Sequence, residues 1–160
     1  MRWIWIDKFI EFESGVRATA IKNVSLAEEH LHDHFPAYPT MPASLMIEGM
    51  AQTSGILVGE ARGFQEKVIL AKVKRASFLR EVRPGEQLTY EATIDQVSDE
   101  AASISGKVLV DGEPLAEIDI VFSHIDNNLS GLSFPEENFV FTEDFKSLLR
   151  TYNVSTKDEG

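Results

Sequence analysis

Residues 42–62, PASLMIEGMAQTSGILVGEAR, hold a single charge, Glu48, between Met41 and Gly59. Pro42 can open a helix because its missing N–H costs nothing in the first turn. A helix that is apolar nearly all round belongs in an interior. The flanks read as strands. Residues 3–12 (WIWIDKFIEF) and 16–24 (VRATAIKNV) are β-branched and aromatic, and Glu13, Ser14 and Gly15 between them supply a hairpin turn. After Gly63 come residues 68–82, a turn at Arg83–Glu86, and 87–97. In 87–97, Leu88, Tyr90, Ala92 and Ile94 alternate with Thr89, Glu91, Thr93 and Asp95. Residues 101–110, a tight Asp111–Gly112 turn, and 115–124 complete the series, with Ala116, Ile118, Ile120 and Phe122 facing inward. One buried helix among consecutive antiparallel strands, with no βαβ alternation, defines an α+β fold.

The 160 residues are 43% hydrophobic and carry a net charge of −11. That is enough apolar material for one globular core. It also argues against general nucleic-acid binding, which needs clustered Lys and Arg. There is no cysteine, which excludes disulfides and thiolate metal sites and suits a reducing compartment. Charge follows the first apolar residues too closely for a secretory leader, and no stretch reads as a membrane span. The cytoplasm is the expected location. Residues 1–125 are expected to form the folded domain and 126–160 an extension. In the extension, Asn127, Asn128, Gly131 and Pro135 mark a linker, 142–151 (TEDFKSLLRT) a short helix, and 154–160 a polar tail.

Glu48 is the most informative residue. A carboxyl on a buried helix keeps its proton or finds a partner, and otherwise the helix face is partly exposed and Glu48 is solvated. Ser44, Glu48 and Gln52, four apart, form one polar stripe. His34 lies in a loop stiffened by Pro36 and Pro39, where a neutral imidazole can serve as a general base or simply be a hydrogen-bonded surface residue. His30, His32 and His34 alternate and could bind metal if extended, but Leu26–Glu29 before them favours a helical turn, so no metal is expected. Ala43 N–H, at the start of the helix, has no partner within the helix and could hold a thioester carbonyl oxygen, or be satisfied by water or the preceding loop.

The run His34-Phe35-Pro36-Ala37-Tyr38-Pro39-Thr40-Met41-Pro42-Ala43-Ser44-Leu45-Met46-Ile47-Glu48-Gly49-Met50-Ala51-Gln52 resembles the (3R)-hydroxyacyl-[acyl-carrier-protein] dehydratases, with their pattern HFPGxPxMPGxLxxExxAQ. The segments 20–24 (AIKNV) and 83–88 (RPGEQL) are also similar, so the resemblance spans roughly 3–125. It implies a hot-dog fold, one long central helix wrapped by a curved antiparallel sheet. It also implies a homodimer, possibly in larger assemblies, whose sites combine His34 of one subunit with Glu48 of the other. By the same resemblance His34 takes the α-proton, protonated Glu48 donates to the leaving hydroxyl, the Ala43 amide holds the carbonyl oxygen and Gln52 orients the site, without a cofactor. Ala37 and Ala43 stand where the family has glycine, and Glu48 rather than aspartate fits a dehydratase that does not isomerise its product. The implied partner is an acyl carrier protein, for which Lys72, Lys74, Arg75, Arg80 and Arg83 are the docking candidates. Their other reading is solvated strand edges. A hot-dog thioesterase and a non-catalytic acyl-binding protein are the alternatives.

Overall fold

The computed structural model describes residues 3–125, 135, 137, 138, 140–151 and 154. The chain enters its sheet through an antiparallel hairpin, β1 (Lys8–Glu13) and β2 (Arg17–Asn23), with Gly15 at φ +71° in the turn. A short helix, α1 (His30–Asp33), leads through a loop into α2 (Ala43–Ala61). Four strands follow: β3 (Lys67–Phe78), β4 (Gln87–Val97), β5 (Ala101–Val110) and β6 (Glu113–Ile125). They join β1 and β2 in one antiparallel sheet of order β1-β2-β4-β5-β6-β3, which curves around α2. This is the hot-dog architecture. The β5–β6 turn places Asp111 at φ +52° and Gly112 at +79°, the left-handed pair that a two-residue hairpin requires.

The helix seats on the sheet through Met46, Met50, Leu57 and Val58, packed with Leu88, Tyr90, Ile104, Ile118 and Ile120, all nearly inaccessible. Burying each such side chain contributes roughly 1.5–3 kcal/mol. The approach is close. A Cβ on Gly49 would lie 2.6 Å from the Tyr90 hydroxyl, and one on Gly106 would lie 2.5 Å from the Ile118 carbonyl oxygen and 2.6 Å from the Met50 sulfur. The Tyr90 hydroxyl is buried, and desolvation holds its pKa far above the ordinary phenol range.

Three boundaries differ from the sequence expectation. The first strand begins at Lys8 rather than Trp3. The Trp5 amide instead donates to Gln52 Oε1 on α2 at 2.8 Å, and only at Asp7 does the backbone reach β2, donating to the Ile21 carbonyl at 2.7 Å. β3 ends at Phe78 rather than Val82. Leu79 N–H still reaches the Leu115 carbonyl at 2.8 Å, but the next partner residue is Pro114, which has no N–H to continue the ladder. Finally, before Gly49 only Met46 of α2 is buried. Ala43 and Ser44 are exposed, and Leu45, Ile47 and Glu48 are half-buried, because the sheet covers one side only of the first two turns.

That missing cover continues along β3. Ala71–Ser77 are exposed, including Val73 and Ala76, whose register partners Ile120 and Ile118 are fully buried. β3 is an outer strand of the sheet, so a face that carries core on β6 carries none here.

Beyond β6 the chain returns to the body. Asn138 donates from Nδ2 to the carbonyls of Phe64 and Glu66 at 3.0 and 3.3 Å. Phe141 is buried edge-on to Phe64 and fills the space left by Gly59, where a Cβ would sit 2.5 Å from its ring. The helix expected here forms as α3 (Glu143–Arg150). Thr142 caps it by accepting from Phe145 N–H at 3.3 Å, with Glu143 and Asp144 in its first turn and Arg150 in its last. Leu149 and Val154 are buried. Of the expected linker, Asn127, Asn128 and Gly131 lie outside the described residues, as do residues 155–160 of the tail, while Pro135 is exposed.

Candidate active site

His34 caps the end of α1 and is half-buried. The chain then folds back on itself: Phe35 and Tyr38 exchange backbone hydrogen bonds at 3.2 and 3.0 Å, and Thr40 N–H donates to the His34 carbonyl at 2.9 Å. This turn delivers the Thr40 carbonyl to His34 Nδ1 at 2.8 Å. A carbonyl only accepts, so Nδ1 carries the hydrogen, and in the neutral ring Nε2 is left as the basic nitrogen. Phe35 stacks on the imidazole at 4.3 Å and further fixes its orientation. His30 and His32 belong to α1, where residues two apart point to different sides, so the three histidines share no common face. Burial lowers the pKa of His30, and its ring packs edge-on against Trp5 at 5.0 Å.

His34, Thr40, Ala43 and Met46 line one open groove of about 440 Å³, walled on the far side by Phe78, Leu79 and Arg80. Ala43 is the first residue of α2, and its amide has no acceptor among the described residues. Ala37 is exposed in the loop and does not line this groove.

Glu48 lies elsewhere. It lines a separate cavity of about 360 Å³ with Trp3, Ala51, Gln52, Gly55 and residues of β3, β6 and the extension. The expected stripe on α2 holds at two of its members, since Gln52 Nε2 donates to Glu48 Oε1 at 3.0 Å, whereas Ser44 is exposed and takes no part. The full sequestration expected of Glu48 is not met in the single chain, for the missing cover described above. Its partner was not legible in the sequence: Trp3 Nε1–H donates to the same Oε1 at 3.1 Å, and Gln52 Nε2 also reaches the Trp3 carbonyl at 3.2 Å. The Trp-Ile-Trp pattern reads as strand. Only the fold reveals that the segment crosses α2 and lays its indole beside the carboxyl. Within one chain, then, His34 joins Ala43 and Glu48 joins Gln52 and Trp3, but the two pairs occupy different cavities.

The basic residues divide. Arg75 is held by Glu117 at 2.7 Å and Asp119 at 2.9 Å, Arg80 by Glu86 at 2.9 Å, and Arg83 lies 3.9 Å over the Tyr38 ring. Lys72 and Lys74 are exposed with no ion pair among the described residues. A further buried imidazole, His124, is bound through Nδ1 to the Glu66 carboxylate, which Arg62 also approaches at 3.4 Å, and this cluster lines neither cavity.

Comparison with known proteins identifies the family and the fold. Residues 3–119 match the family model described as the FabA-like domain. The chain is 38% identical over 125 residues to the 3-hydroxyacyl-[acyl-carrier-protein] dehydratase FabZ of Listeria welshimeri, covering 78% of this chain and 87% of that protein. It is 37% identical over 122 residues to the FabZ of Oceanobacillus iheyensis, covering 76% and 87%. Among solved structures it resembles the dehydratase heterocomplex ApeI:P of Xenorhabdus doucetiae (TM-score 0.63, 16% identity, covering 79% of this chain and 84% of that one). It also resembles a hypothetical thioesterase from Streptococcus pneumoniae (TM-score 0.60, 9% identity, covering 73% and 84%), a likeness of fold alone. With the sheet-wrapped helix, the His34–Gln52 motif and these relatives in agreement, the chain belongs to the FabA-like domain family.

Proposed function

We propose that two copies of this chain form a cytoplasmic homodimer that dehydrates (3R)-3-hydroxyacyl thioesters of an acyl carrier protein to trans-2-enoyl thioesters, in fatty-acid or related lipid synthesis. The observation that carries this reading is the division of the motif into two incomplete halves. One groove offers a free imidazole nitrogen beside an unpartnered helix amide, and another cavity offers a carboxyl. The uncovered strip of Val73, Ala76, Leu79 and Phe35, with Leu79 74% exposed, supports a second copy seated along β3 and the start of α2. That copy would bring its Glu48 to the His34 groove.

The chemistry follows from the atoms. His34 Nε2 removes the α-proton while Ala43 N–H receives the charge that develops on the thioester oxygen. The carbon–carbon double bond forms as the β-carbon–oxygen bond breaks, and the departing hydroxyl takes the proton of Glu48 to leave as water. His34 is then protonated and Glu48 ionised, and returning the proton from one to the other resets the site. This acid–base cycle needs no cofactor. Both Trp3 and Gln52 donate to Oε1, so that oxygen is the acceptor and Oε2 is the one that can carry the acid proton. Trp3→Phe keeps the ring and removes the donor. It is expected to lower kcat roughly three- to tenfold, the worth of one ordinary hydrogen bond, with KM nearly unchanged. Unaltered kcat in steady-state assays would remove Trp3 from the site.

The deciding experiment incubates the protein with 3-hydroxyacyl carrier protein and follows the acyl group by mass spectrometry. Loss of one water supports the dehydratase. Free acid would identify a thioesterase instead, and bound but unchanged substrate a non-catalytic acyl-binding protein. For the carrier protein, Lys72 and Lys74 are the docking candidates with charge to spare, and Arg75, Arg80 and Arg83 are second to them because each already has an intramolecular partner. Lys72→Glu with Lys74→Glu should raise KM for the carrier-linked substrate severalfold and leave a small pantetheine thioester unaffected. An equal loss on both substrates would count against docking there.

A further inference from the structure

The cavity that holds Glu48 is polar at one end only. Trp3, Glu48 and Gln52 form that end, and beyond them the walls are Ala51, Gly55, Val68 and Phe122. The cavity follows α2 away from the carboxyl toward the extension, whose Phe141 packs against Gly59. Glu48 and Gly59 are eleven positions apart on the helix, about 16 Å along the axis. Phe145, whose ring lies 6.1 Å from that of Phe141, also lines the cavity. These two aromatic residues stand beyond residue 119, where the family match ends. The extension is anchored independently of any ligand, by Asn138 on the Phe64 and Glu66 carbonyls and by the burial of Leu149 and Val154.

We infer that this cavity receives the alkyl chain of the substrate and that the extension, through Phe141 and Phe145, is its end wall, so that residues outside the family domain set the longest acyl chain the enzyme accepts. The inference deepens the proposed function, since the occupant is identified by continuity. A thioester reacting at Glu48 has its hydrocarbon at the mouth of an apolar cavity that Phe141 and Phe145 also line. Each methylene that enters should improve kcat/KM about fourfold, the worth of burying one such group, until the chain meets the wall.

The test uses the full chain and Phe145, which is only half-buried and so tolerates replacement better than Phe141. Phe145→Ala should move the preferred substrate to longer chains, and Phe145→Trp to shorter ones, across a ladder of 3-hydroxyacyl carrier proteins from butanoyl to hexadecanoyl. Turnover of the shortest should stay within about twofold of wild type, because that chain never reaches the wall. A second measurement needs no turnover: binding of S-alkyl pantetheine thioethers of increasing length, read from the fluorescence of Trp3, which lines the same cavity. If the wild type dehydrates nothing but Phe145→Ala still lengthens the thioether cut-off, the dehydratase reading fails and the end wall stands. If both Phe145 variants, folded as judged by circular dichroism, give the wild-type profile in both measurements, the extension does not limit the chain.

Discussion

His34→Ala is expected to lower kcat for 3-hydroxyacyl carrier protein by at least about 10²-fold, and as much as about 10⁴-fold, the range for a positioned general base. The Thr40 carbonyl fixes the hydrogen on Nδ1, so the replacement removes the one ring nitrogen able to accept the α-proton. Substrate binding should change little, because the groove keeps its Met41, Met46 and Phe78 walls. His34 is half-buried at a helix end, so thermal stability should fall by no more than about 1 kcal/mol. Steady-state kinetics beside a melting curve separates the two effects. Turnover within a few-fold of wild type, with an unchanged melting temperature, would exclude His34 as the base.

Glu48→Gln should be as damaging, about 10²-fold or more in kcat, for a different reason. The amide has the shape of the carboxyl and can still accept from Trp3 and Gln52 through its oxygen, so the site should remain assembled. What it lacks is an acidic proton for the leaving hydroxyl. The two variants together also test the architecture. In an isologous dimer a subunit carrying His34→Ala still supplies Glu48, and one carrying Glu48→Gln still supplies His34. Mixing them and allowing subunit exchange should restore about a quarter of wild-type activity, since half the dimers are mixed and each of these has one intact site. No recovery after exchange, with mixed dimers verified by native mass spectrometry, would mean that the two groups do not meet across subunits.

Much of the fold was legible because its determinants are local. The uncharged helix, the alternation in residues 87–97 and the Asp111–Gly112 turn each encode their own geometry, and the sheet assembles from neighbours in sequence except where β2 meets β4 and β3 meets β6. The His34-to-Gln52 motif was legible for the same reason, as a contiguous run of nineteen residues. What escaped depends on distant pairs. Trp3 meets Glu48 across forty-five residues, and an indole in a β-rich segment carries no mark of whether it will pack in the core or donate to a carboxyl. The extension reads as a polar linker with a weak helix, and its aromatic residues gain their meaning only from the notch at Gly59. Charge was misleading in another way. Five basic residues in twelve positions suggest an open patch, yet Arg75 and Arg80 are neutralised by carboxylates that sequence places elsewhere or in the turn beyond.

The outer margin of β3 has a consequence for the newly made chain. As the outer strand, β3 presents one row of unpaired backbone groups along the exposed Ala71–Ser77, the template on which amyloid-like growth begins. Two irregularities interrupt the strand, between Leu70 and Lys72 and between Val73 and Arg75, and three cations sit within the same stretch. A kinked edge that carries the charges of Lys72 and Lys74 resists stacking on copies of itself. These features guard the sheet margin against open-ended pairing.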